Sequence, residues 1–272
     1  MTKPTASVII GTRNAAHTLE RCLASIRDQT YPAVEAVVAD SGSTDDTVRI
    51  ARRFSAKVVK GGHERSEQRN LGAAAASGSR LFFVDSDMTL DPTLVAEGVA
   101  ALAHAQSVVV PIRDVGPGFW NRVRGFERSL YMGEPGIEAP HLYRRDVFEA
   151  VGGFDPELVA GEDWDLDDRV RAVTKQLPAR ITTGLTHYEG RVTLAGTFRK
   201  RIYYGRNFSR YLAKRRQTPG ADRPVWLRTT YLKHWPELLR HPVLTVGMVI
   251  LKSVEAVGML VGMRRARRSS VK

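Results

Sequence analysis

The stretch Arg80-Leu-Phe-Phe-Val-Asp-Ser-Asp87 joins four apolar residues to two aspartates that flank a single serine. A short apolar run bounded by polar residues is typical of a buried strand, so we expect the aspartates at its carboxyl end. Two runs of the same kind precede it, at 6–10 (ASVII) and 33–39 (AVEAVVA), and each leads into a polar loop. Such loops indicate a sheet that carries its binding groups along one edge.

Helical and strand patterns alternate on both sides of this stretch. Helices are predicted at 18–29, 45–54, 67–77 and 92–105, and further strands at 56–60 and 107–111. This alternation favours an α/β fold with a doubly wound, mostly parallel sheet and helices on both faces. Neither a GxGxxG fingerprint nor a Walker-type phosphate loop follows any of these strands, which argues against a dehydrogenase or a P-loop NTPase.

Length and composition indicate the number of domains and the cellular compartment of the chain. The chain has 272 residues, 43% of them hydrophobic, which is enough for one large domain or one domain with an appendage. The single cysteine, Cys22, excludes an intramolecular disulfide and a Cys-rich zinc site, and it fits a reducing compartment. The first residues lack the apolar region of a signal peptide, so we expect the bulk of the chain in the cytoplasm.

The net charge of +12 is unevenly distributed. Residues 191–272 contain 19 Lys and Arg against three Asp and Glu, whereas the preceding 190 residues have a net charge of −4. This asymmetry indicates an anionic partner, either nucleic acid or an anionic membrane surface.

Asp85 and Asp87 lie where two carboxylates can turn toward one hard divalent cation. Mg²⁺ and Mn²⁺ prefer oxygen ligands and share their coordination sphere with substrate phosphates. The alternative is that both carboxylates merely cap the approach to the next helix. A D-x-D triplet by itself does not decide between the two interpretations.

Seven segments, in this order, resemble family 2 of the inverting glycosyltransferases, which have the GT-A fold. They are SVIIGTRN (7–14), DQTYP (28–32), VVADSGSTDDT (37–47), EQRNLGAAAASG (67–78), LFFVDSDMTLDP (81–92), YRRDVFEAVGGFDPEL (143–158) and AGEDWDLDDRV (160–170). The resemblance runs from Ser7 to about Tyr211. It implies transfer of a sugar from a nucleotide-diphosphate donor to an acceptor hydroxyl or phosphate, with inversion at the anomeric carbon.

The resemblance also implies a domain organisation. We expect a GT-A glycosyltransferase domain over 1–215, with a nucleotide-binding half at 1–112 and an acceptor half at 113–190. A basic helical extension is expected to follow at 216–272.

On the nucleotide side, the resemblance implies contacts from residues at the strand ends. Thr12 would meet the base or ribose, Asp40 would accept a hydrogen bond from the base edge, and Arg69 would approach the base or diphosphate. The alternatives are a simple turn at Thr12, a turn cap at Asp40 and a solvated charge at Arg69. The expected nucleotide-sugar residues are Thr12, Arg13, Asp40, Arg69, Asp85 and Ser86.

The resemblance further implies a metal site. Asp87 would bind Mg²⁺ or Mn²⁺ directly, and Asp85 would contact the ribose or the metal shell. His187 would supply another contact to the metal or the diphosphate, although a lone histidine is more often structural.

For the acceptor side, Asp163 would be the general base that takes the acceptor proton. The alternative is that the acids from Glu162 to Asp168 only complement a helix dipole, which we accept for Asp165, Asp167 and Asp168. Trp164 would stack on the acceptor or belong to the core. The expected acceptor-side residues are Gly153, Phe154, Glu162 and Trp164.

The basic C-terminal third has two further patterns. Over 199–216, Lys and Arg alternate with Tyr203, Tyr204, Phe208 and Tyr211, which by itself fits single-stranded nucleic acid. Apolar and aromatic residues then recur in a pattern suited to a membrane interface, at Trp226, Leu227, Tyr231, Leu232, Trp235, Leu238 and Leu239.

Residues 242–263 contain only Lys252 and Glu255 as charged residues, and the run RRARR (264–268) follows. Each charge near the bilayer centre costs about 2.5–3.5 kcal/mol, so we favour a helix lying on the cytoplasmic face of a membrane. The basic run would anchor it at ~1 kcal/mol per charge near anionic lipid. A spanning helix is the second alternative, and a buried core or dimer helix is the third.

A membrane-bound transferase implies a lipid-linked acceptor, such as a polyprenyl phosphate or a glycolipid. Arg199, Lys200, Arg201 and Arg206 are the candidates to hold its phosphate. We therefore predict a membrane-associated inverting glycosyltransferase that uses a UDP- or GDP-sugar and Mg²⁺ or Mn²⁺, with no nucleic-acid partner.

Two alternatives belong to other functional classes. A nucleic-acid-binding protein would show salt-dependent binding that survives removal of divalent ions. A sugar nucleotidyltransferase normally needs a glycine-rich signature near the first strand, which Gly11–Asn14 does not supply.

Overall fold

The structure, a computed structural model, describes residues 5–134, 137–218 and 230–269. Trp226 and Leu227 of the predicted interfacial pattern lie outside the described residues. The strands are β1 (Ala6–Thr12), β2 (Val34–Asp40), β3 (Lys57–Lys60), β4 (Arg80–Asp85), β5 (Met88–Leu90), β6 (Ser107–Val109), β7 (Ile112–Val115), β8 (Leu142–Arg144), β9 (Ala179–Arg180) and β10 (Leu185–Tyr188).

The helices are α1 (Ala16–Arg27), α2 (Thr47–Arg53), α3 (Arg65–Ala75), α4 (Leu94–Ala101), α5 (Phe119–Tyr131), α6 (Arg145–Ala150), α7 (Glu162–Thr174), α8 (Leu194–Arg215), α9 (Thr230–Lys233), α10 (Trp235–Arg240) and α11 (Pro242–Ser269). The chain divides into two compact units. Unit 1 comprises 1–112, 139–157 and 162–187, and unit 2 comprises 113–138, 158–161 and 188–272.

Unit 1 is built on a seven-stranded sheet with the order β3-β2-β1-β4-β8-β6-β9. The pairs β1–β2, β1–β4, β2–β3 and β6–β9 are parallel. β8 runs antiparallel to both of its neighbours, β4 and β6. The doubly wound, mostly parallel sheet expected from the sequence is therefore confirmed, and β8 is its exception.

Helices cover both faces of this sheet because its strands are apolar on both sides. In β4, Phe82 and Val84 join a core cluster that includes residues of α1, α2 and α4. Leu81 and Phe83, which point the opposite way, join a second cluster with residues of α3, α6 and α7. A strand buried on both faces is a continuous apolar run, which is why RLFFV is so clear a signal.

The register of the central strands aligns their carboxyl ends. Thr12 of β1 lies opposite Asp40 of β2, and Gly11 lies opposite Asp85 of β4. Just beyond β4, β5 pairs antiparallel with β10 and sets Met88 opposite His187. The polar residues after the three strands therefore meet at one edge of the sheet, as the sequence predicted.

Unit 2 is built on the three long helices α5, α8 and α11. Val123 and Leu130 of α5 form a small core with Met248 and Leu251 of α11. α11 also contains the segment Pro242–Ala266, which is long and apolar enough to cross a membrane by length and composition.

Charged residues inside unit 2 connect these three helices. Lys252 Nζ lies 2.6 Å from both Glu127 Oε1 and Glu255 Oε2, and Arg201 Nη2 lies 2.6 Å from Glu255 Oε1. Tyr231 Oη donates to Glu127 Oε1 at 2.7 Å. Lys252 and Glu255 of α11 are thus paired with residues of α5 and α8.

Candidate active site

Three of the residues predicted for the nucleotide side, Thr12, Arg13 and Asp40, lie at the edge where β1 and β2 end. Thr12 Oγ1 donates to Asp40 Oδ1 at 3.2 Å, and the backbone N–H of Ser43 donates to Asp40 Oδ2 at 3.0 Å. Asp40 is almost fully buried, whereas Arg13 is exposed. The Asp40 carboxylate therefore organises the loop after β2, in the manner of the turn cap that the sequence offered as an alternative.

Arg69 of α3 lies at the centre of the site. Its Nη1 atom lies 2.6 Å from Asp163 Oδ1 and 3.9 Å from Glu162 Oε1, and its Nη2 atom lies 3.2 Å from Asp85 Oδ1. One planar guanidinium thus contacts carboxylates from β4 and from the first turn of α7. Asp85 and Asp163, which are 78 positions apart in the chain, are brought into the same site.

The Arg69 guanidinium packs against the ring of Phe154. Its Cζ atom lies 5.2 Å from the centre of the Phe154 ring, and that ring packs edge-on against Phe83 at 5.0 Å. Asn70 fixes the backbone of Phe154 from both sides, donating to its carbonyl at 2.7 Å and accepting from its N–H at 2.9 Å. The Phe154 side chain is buried beneath Arg69.

Gly153 is required by this close approach. Its φ is +68°, and a Cβ atom there would lie 2.7 Å from Asn70 Oδ1. The Gly153 carbonyl also accepts a hydrogen bond from Arg169 at 2.7 Å, and Arg169 in turn pairs with the buried Asp165 at 2.8 Å. Asp165 therefore helps to orient Arg169 toward the Gly153 carbonyl.

The buried charges strongly perturb one another. Burial by itself would raise the pKa of Asp85, but the positive charges of Arg69 and then Arg65 outweigh it and hold that pKa well below its usual range. Burial, followed by the negative charge of Asp163, raises the pKa of Glu162 to about 7. Asp85 is therefore ionised at neutral pH, whereas the pKa of Glu162 lies close to neutral pH.

Asp163 is the more accessible carboxylate of its pair. Its side chain is 40% exposed, compared with 6% for Glu162. Arg69 contacts its Oδ1 atom, so the Asp163 carboxylate is both paired with a cation and open to solvent. Trp164 beside it is half-buried.

Two of the three predicted metal ligands lie together. His187 Nε2 is 3.3 Å from Asp87 Oδ2, and Asp87 Oδ1 is buried without a hydrogen-bond partner in the described part of the chain. Asp85, the third, is directed to Arg69, and Ser86 between the two aspartates is half-buried. Within the described ranges no group of three or more His, Cys, Asp or Glu is arranged to hold a metal ion.

Carboxylate and imidazole form a donor set that Mg²⁺ and, more readily, Mn²⁺ accept, with substrate phosphates completing the shell. The unpartnered Asp87 Oδ1 fits such an ion, because a buried carboxylate oxygen is rarely left without a partner.

The structure also assigns positions to residues that the sequence interpretation left without a role. Arg65 lies one helical turn before Arg69 and approaches Glu162 at 3.6 Å, and Asn70 clamps Phe154. The i,i+4 spacing of Arg65 and Arg69 was a visible signal of a cationic helix face. The double hydrogen bond of Asn70 had no such signal, because its partner lies 84 positions away.

The predicted lipid-phosphate residues belong to unit 2. Arg199, Lys200 and Arg206 are exposed on α8, and Lys200 Nζ lies 6.0 Å from the centre of the Tyr204 ring. Arg201 is instead paired with the buried Glu255.

Two proteins illustrate the sequence similarity of this chain to others. The chain is 27% identical over 246 residues to the succinoglycan biosynthesis protein ExoA of Rhizobium meliloti, covering 81% of this chain and 74% of that protein. It is 32% identical over 182 residues to a PGL/p-HBAD biosynthesis glycosyltransferase of Mycobacterium bovis, covering 62% of this chain and 70% of the relative.

Solved structures show the same fold. The mannosyltransferase PcManGT of Pyrobaculum calidifontis, in complex with GDP-Man and Mn²⁺, matches with a TM-score of 0.60 at 20% identity, over 100% of this chain and 79% of that chain. S. aureus TarS 1–349 in complex with UDP-GlcNAc matches with a TM-score of 0.54 at 16% identity, over 97% and 92% of the two chains.

A family model agrees with both comparisons. The model described as "Glycosyl transferase family 2" matches residues 7–153, more than half of the chain, including Arg69, Asp85 at the end of β4 and Asp87 just beyond it. With the GT-A-like fold and the clustered carboxylates of unit 1, this match establishes that the chain belongs to glycosyl transferase family 2.

Proposed function

We propose that this glycosyltransferase inverts the anomeric carbon as it moves a sugar from a UDP- or GDP-sugar to a lipid-linked acceptor, with Asp163 as the general base. The observation that carries the proposal is the bridge made by Arg69, which contacts Asp163 at 2.6 Å and Asp85 at 3.2 Å. The planar guanidinium thus fixes the proposed general base, Asp163, relative to Asp85, the carboxylate at the end of β4 that would lie beside the donor. Such a fixed arrangement suits a single displacement, because the donor and the acceptor must be positioned together for the attack.

Asp163 would take the proton of the acceptor hydroxyl as the acceptor oxygen attacks the anomeric carbon. The bond from that carbon to the diphosphate breaks on the opposite side, and the nucleoside diphosphate leaves with its electron pair. The 40% exposure of the Asp163 side chain suits it to this role. Glu162 is buried between Arg65 and Arg69, so it would brace the base. Trp164 would lie against the acceptor, with Gly153 and Phe154 behind it.

Asp87 and His187 would hold Mg²⁺ or Mn²⁺, with Asp85 beside them. The support is the unpartnered Asp87 Oδ1 and the 3.3 Å approach of His187 Nε2 to Asp87 Oδ2. When bound, such an ion neutralises the charge of the leaving diphosphate as a Lewis acid. The neighbour solved with GDP-Man and Mn²⁺ supports a divalent cation here.

The donor would lie along the ends of β1, β2 and β4, with contacts from Thr12, Arg13, Asp40 and Ser86. Solved neighbours bound to UDP-GlcNAc and to GDP-Man support a nucleotide-diphosphate sugar as the donor. We propose either uracil or guanine as its nucleobase.

We propose an acceptor in polysaccharide or glycolipid biosynthesis, presented at the cytoplasmic face of a membrane. The support is the names of the relatives, which cite succinoglycan and PGL/p-HBAD biosynthesis, together with the apolar α11. Arg199, Lys200 and Arg206 are exposed and would contact an acceptor phosphate, whereas Arg201 is engaged by Glu255.

The test uses membranes, the purified protein and a panel of labelled sugar nucleotides. Asp163→Asn keeps the shape of the base but removes its basicity, so transfer should fall by about 10²–10⁴-fold while nucleotide affinity is unchanged. Asp87→Ala should instead weaken Mn²⁺-dependent nucleotide binding. Asp28→Asn, at an exposed surface pair, is the matched control and should leave both measurements unchanged.

Full transfer by Asp163→Asn would remove it as the base. Unchanged Mn²⁺-dependent affinity in Asp87→Ala would remove the metal assignment. The anomeric configuration of the product, read by NMR, tests inversion directly.

A further inference from the structure

The outer face of α11 remains unexplained by the catalytic site. Its inner face packs against α8 through glycines at backbone distance. A Cβ atom at Gly262 would lie 2.3 Å from the carbonyl oxygen of Ile202, and one at Gly258 would lie 2.9 Å from that of Phe198. Gly205 of α8 approaches Met259 in the same way. In the described part of the chain, these contacts cover the side of α11 that faces α8.

The two charged residues in the middle of α11 belong to the inner side. Glu255 is buried, and Arg201 and Lys252 contact it at 2.6 Å. Lys252 also contacts Glu127 of α5 at 2.6 Å. Both charges are therefore neutralised within unit 2, and neither belongs to the outer face.

The outer face is apolar along most of the helix. Six aliphatic side chains there are between 42% and 68% exposed and form what we call the apolar strip: Val243, Val246, Val249, Ile250, Val257 and Leu260. Their spacing of three, four and seven keeps them on one side of a helix, over about 26 Å at 1.5 Å per residue. Ser253, which is also exposed, lies on the same side between Ile250 and Val257. Soluble proteins rarely leave an apolar surface of this extent uncovered.

Cations flank the apolar strip. Arg264 and Arg265 are exposed beyond its carboxyl end. Arg240 is exposed before its amino end and pairs only superficially with Glu237, a surface contact that is worth little. Apolar side chains between exposed cations are complementary to an anionic lipid surface.

We propose that α11 lies in the plane of an anionic membrane, with the apolar strip in the boundary between headgroups and acyl chains. This deepens the proposed function and rests on it for the location of the acceptor. Of the three dispositions weighed from the sequence, it is the one that the sequence favours.

A spanning α11 conflicts with its packing. α5 and α8 lie against it, and α8 alone contains seven Lys and Arg. Insertion would either draw these charges into the bilayer, at about 2.5–3.5 kcal/mol each, or strip α11 from its glycine contacts and ion pairs.

A second copy of the chain is also disfavoured as the occupant. Pairing two strips antiparallel sets Arg240 of one copy against Arg264 of the other, and pairing them parallel sets Arg264 against Arg264. Either arrangement opposes like charges, whereas anionic lipid pairs with both ends.

The experiment uses the full chain and flotation with vesicles of phosphatidylcholine, with or without phosphatidylglycerol. Replacing Val246, Val249 and Leu260 together by serine should lower the partition coefficient about a hundredfold, because three inserted aliphatic side chains are lost. The matched control replaces three exposed aliphatic residues away from the strip by serine and should bind as wild type; they are Val115, Val173 and Leu177.

The orientation is tested by depth-dependent quenching of a fluorophore on single cysteines at positions 246, 253 and 260, which lie on one side of the helix. Cys22 is buried and does not compete for the label. An in-plane helix gives three equal depths. A spanning helix would place position 253 deeper than at least one flanking position, since each is about 10 Å away along the axis.

Vesicle binding that survives the triple substitution, or a depth gradient along the helix, would overturn the proposal. So would a dimer in sedimentation that the triple variant loses, with no vesicle binding by wild type. Flotation needs no substrate, so Asp163→Asn should float as wild type. Failure of the catalytic proposal and failure of this one are therefore distinguishable.

Discussion

Replacing Arg69 by glutamine should destabilise unit 1 and disable transfer together. The guanidinium is 6% exposed and contacts three carboxylates, at 2.6 Å, 3.2 Å and 3.9 Å. Removing one partner of a buried ion pair costs about 3–5 kcal/mol, because the remaining charges lose their compensation. Asp85 and Asp163 are partly exposed and can be hydrated, so we expect the lower end, about 3 kcal/mol.

Lysine at the same position separates charge from geometry. Its ammonium is a point charge and cannot bridge Asp85 and Asp163 as a planar fork does. Arg69→Lys should therefore recover part of the free energy of unfolding. It should still transfer sugar about 100-fold more slowly than wild type, because displacing a base by about 1 Å has an effect of that size.

The assays are urea denaturation followed by circular dichroism, and initial rates of transfer with a saturating donor. Arg65→Gln is the matched control on the same helix, since Arg65 is 41% exposed and lies 3.6 Å from Glu162. Glu162 is buried, but the Arg65 side chain is solvated and makes a longer contact than Arg69 does, so we expect its removal to cost about 1 kcal/mol or less. If Arg69→Gln lost no more stability than Arg65→Gln, or transferred at the wild-type rate, the bridging role would be refuted.

Two further predictions concern pH and packing. Burial and then the charge of Asp163 raise the pKa of Glu162 in the folded chain to about 7. The raised pKa contributes about 3 kcal/mol to the free energy of unfolding, and this contribution is fully present below about pH 4.5. It is lost as the pH rises through 7 and Glu162 ionises. Glu162→Gln should therefore lack this fall in the free energy of unfolding between pH 5 and 8, and an identical pH profile would contradict the assignment. Gly262→Ala places a Cβ atom 2.3 Å from the carbonyl oxygen of Ile202 and should cost about 1–3 kcal/mol in thermal unfolding, whereas Ser253→Ala on the exposed face should be nearly neutral. Equal melting temperatures for these two variants would mean that α8 and α11 are not held at backbone distance.

Local pattern was enough to predict much of unit 1. The runs at 6–10, 33–39 and 80–84 are strands because each is apolar on both faces, and that property is visible without knowledge of the partners. β8 escaped prediction, since a three-residue strand has too few residues to show a period. Its antiparallel direction depends on the path of the chain between β6 and α6.

The sequence by itself determined which residue types follow the central strands, and hence that carboxylates and a threonine gather at one edge. Only the tertiary structure decided that Arg69 bridges Asp85 and Asp163, because the Arg69–Asp163 contact joins residues 94 positions apart. It also decided that Lys252 and Glu255 face α5 and α8 and leave α11 apolar on its outer side. The physical reason is the same in both cases: periodicity states which side of an element is apolar, but the partner of a buried charge is set by packing between distant segments.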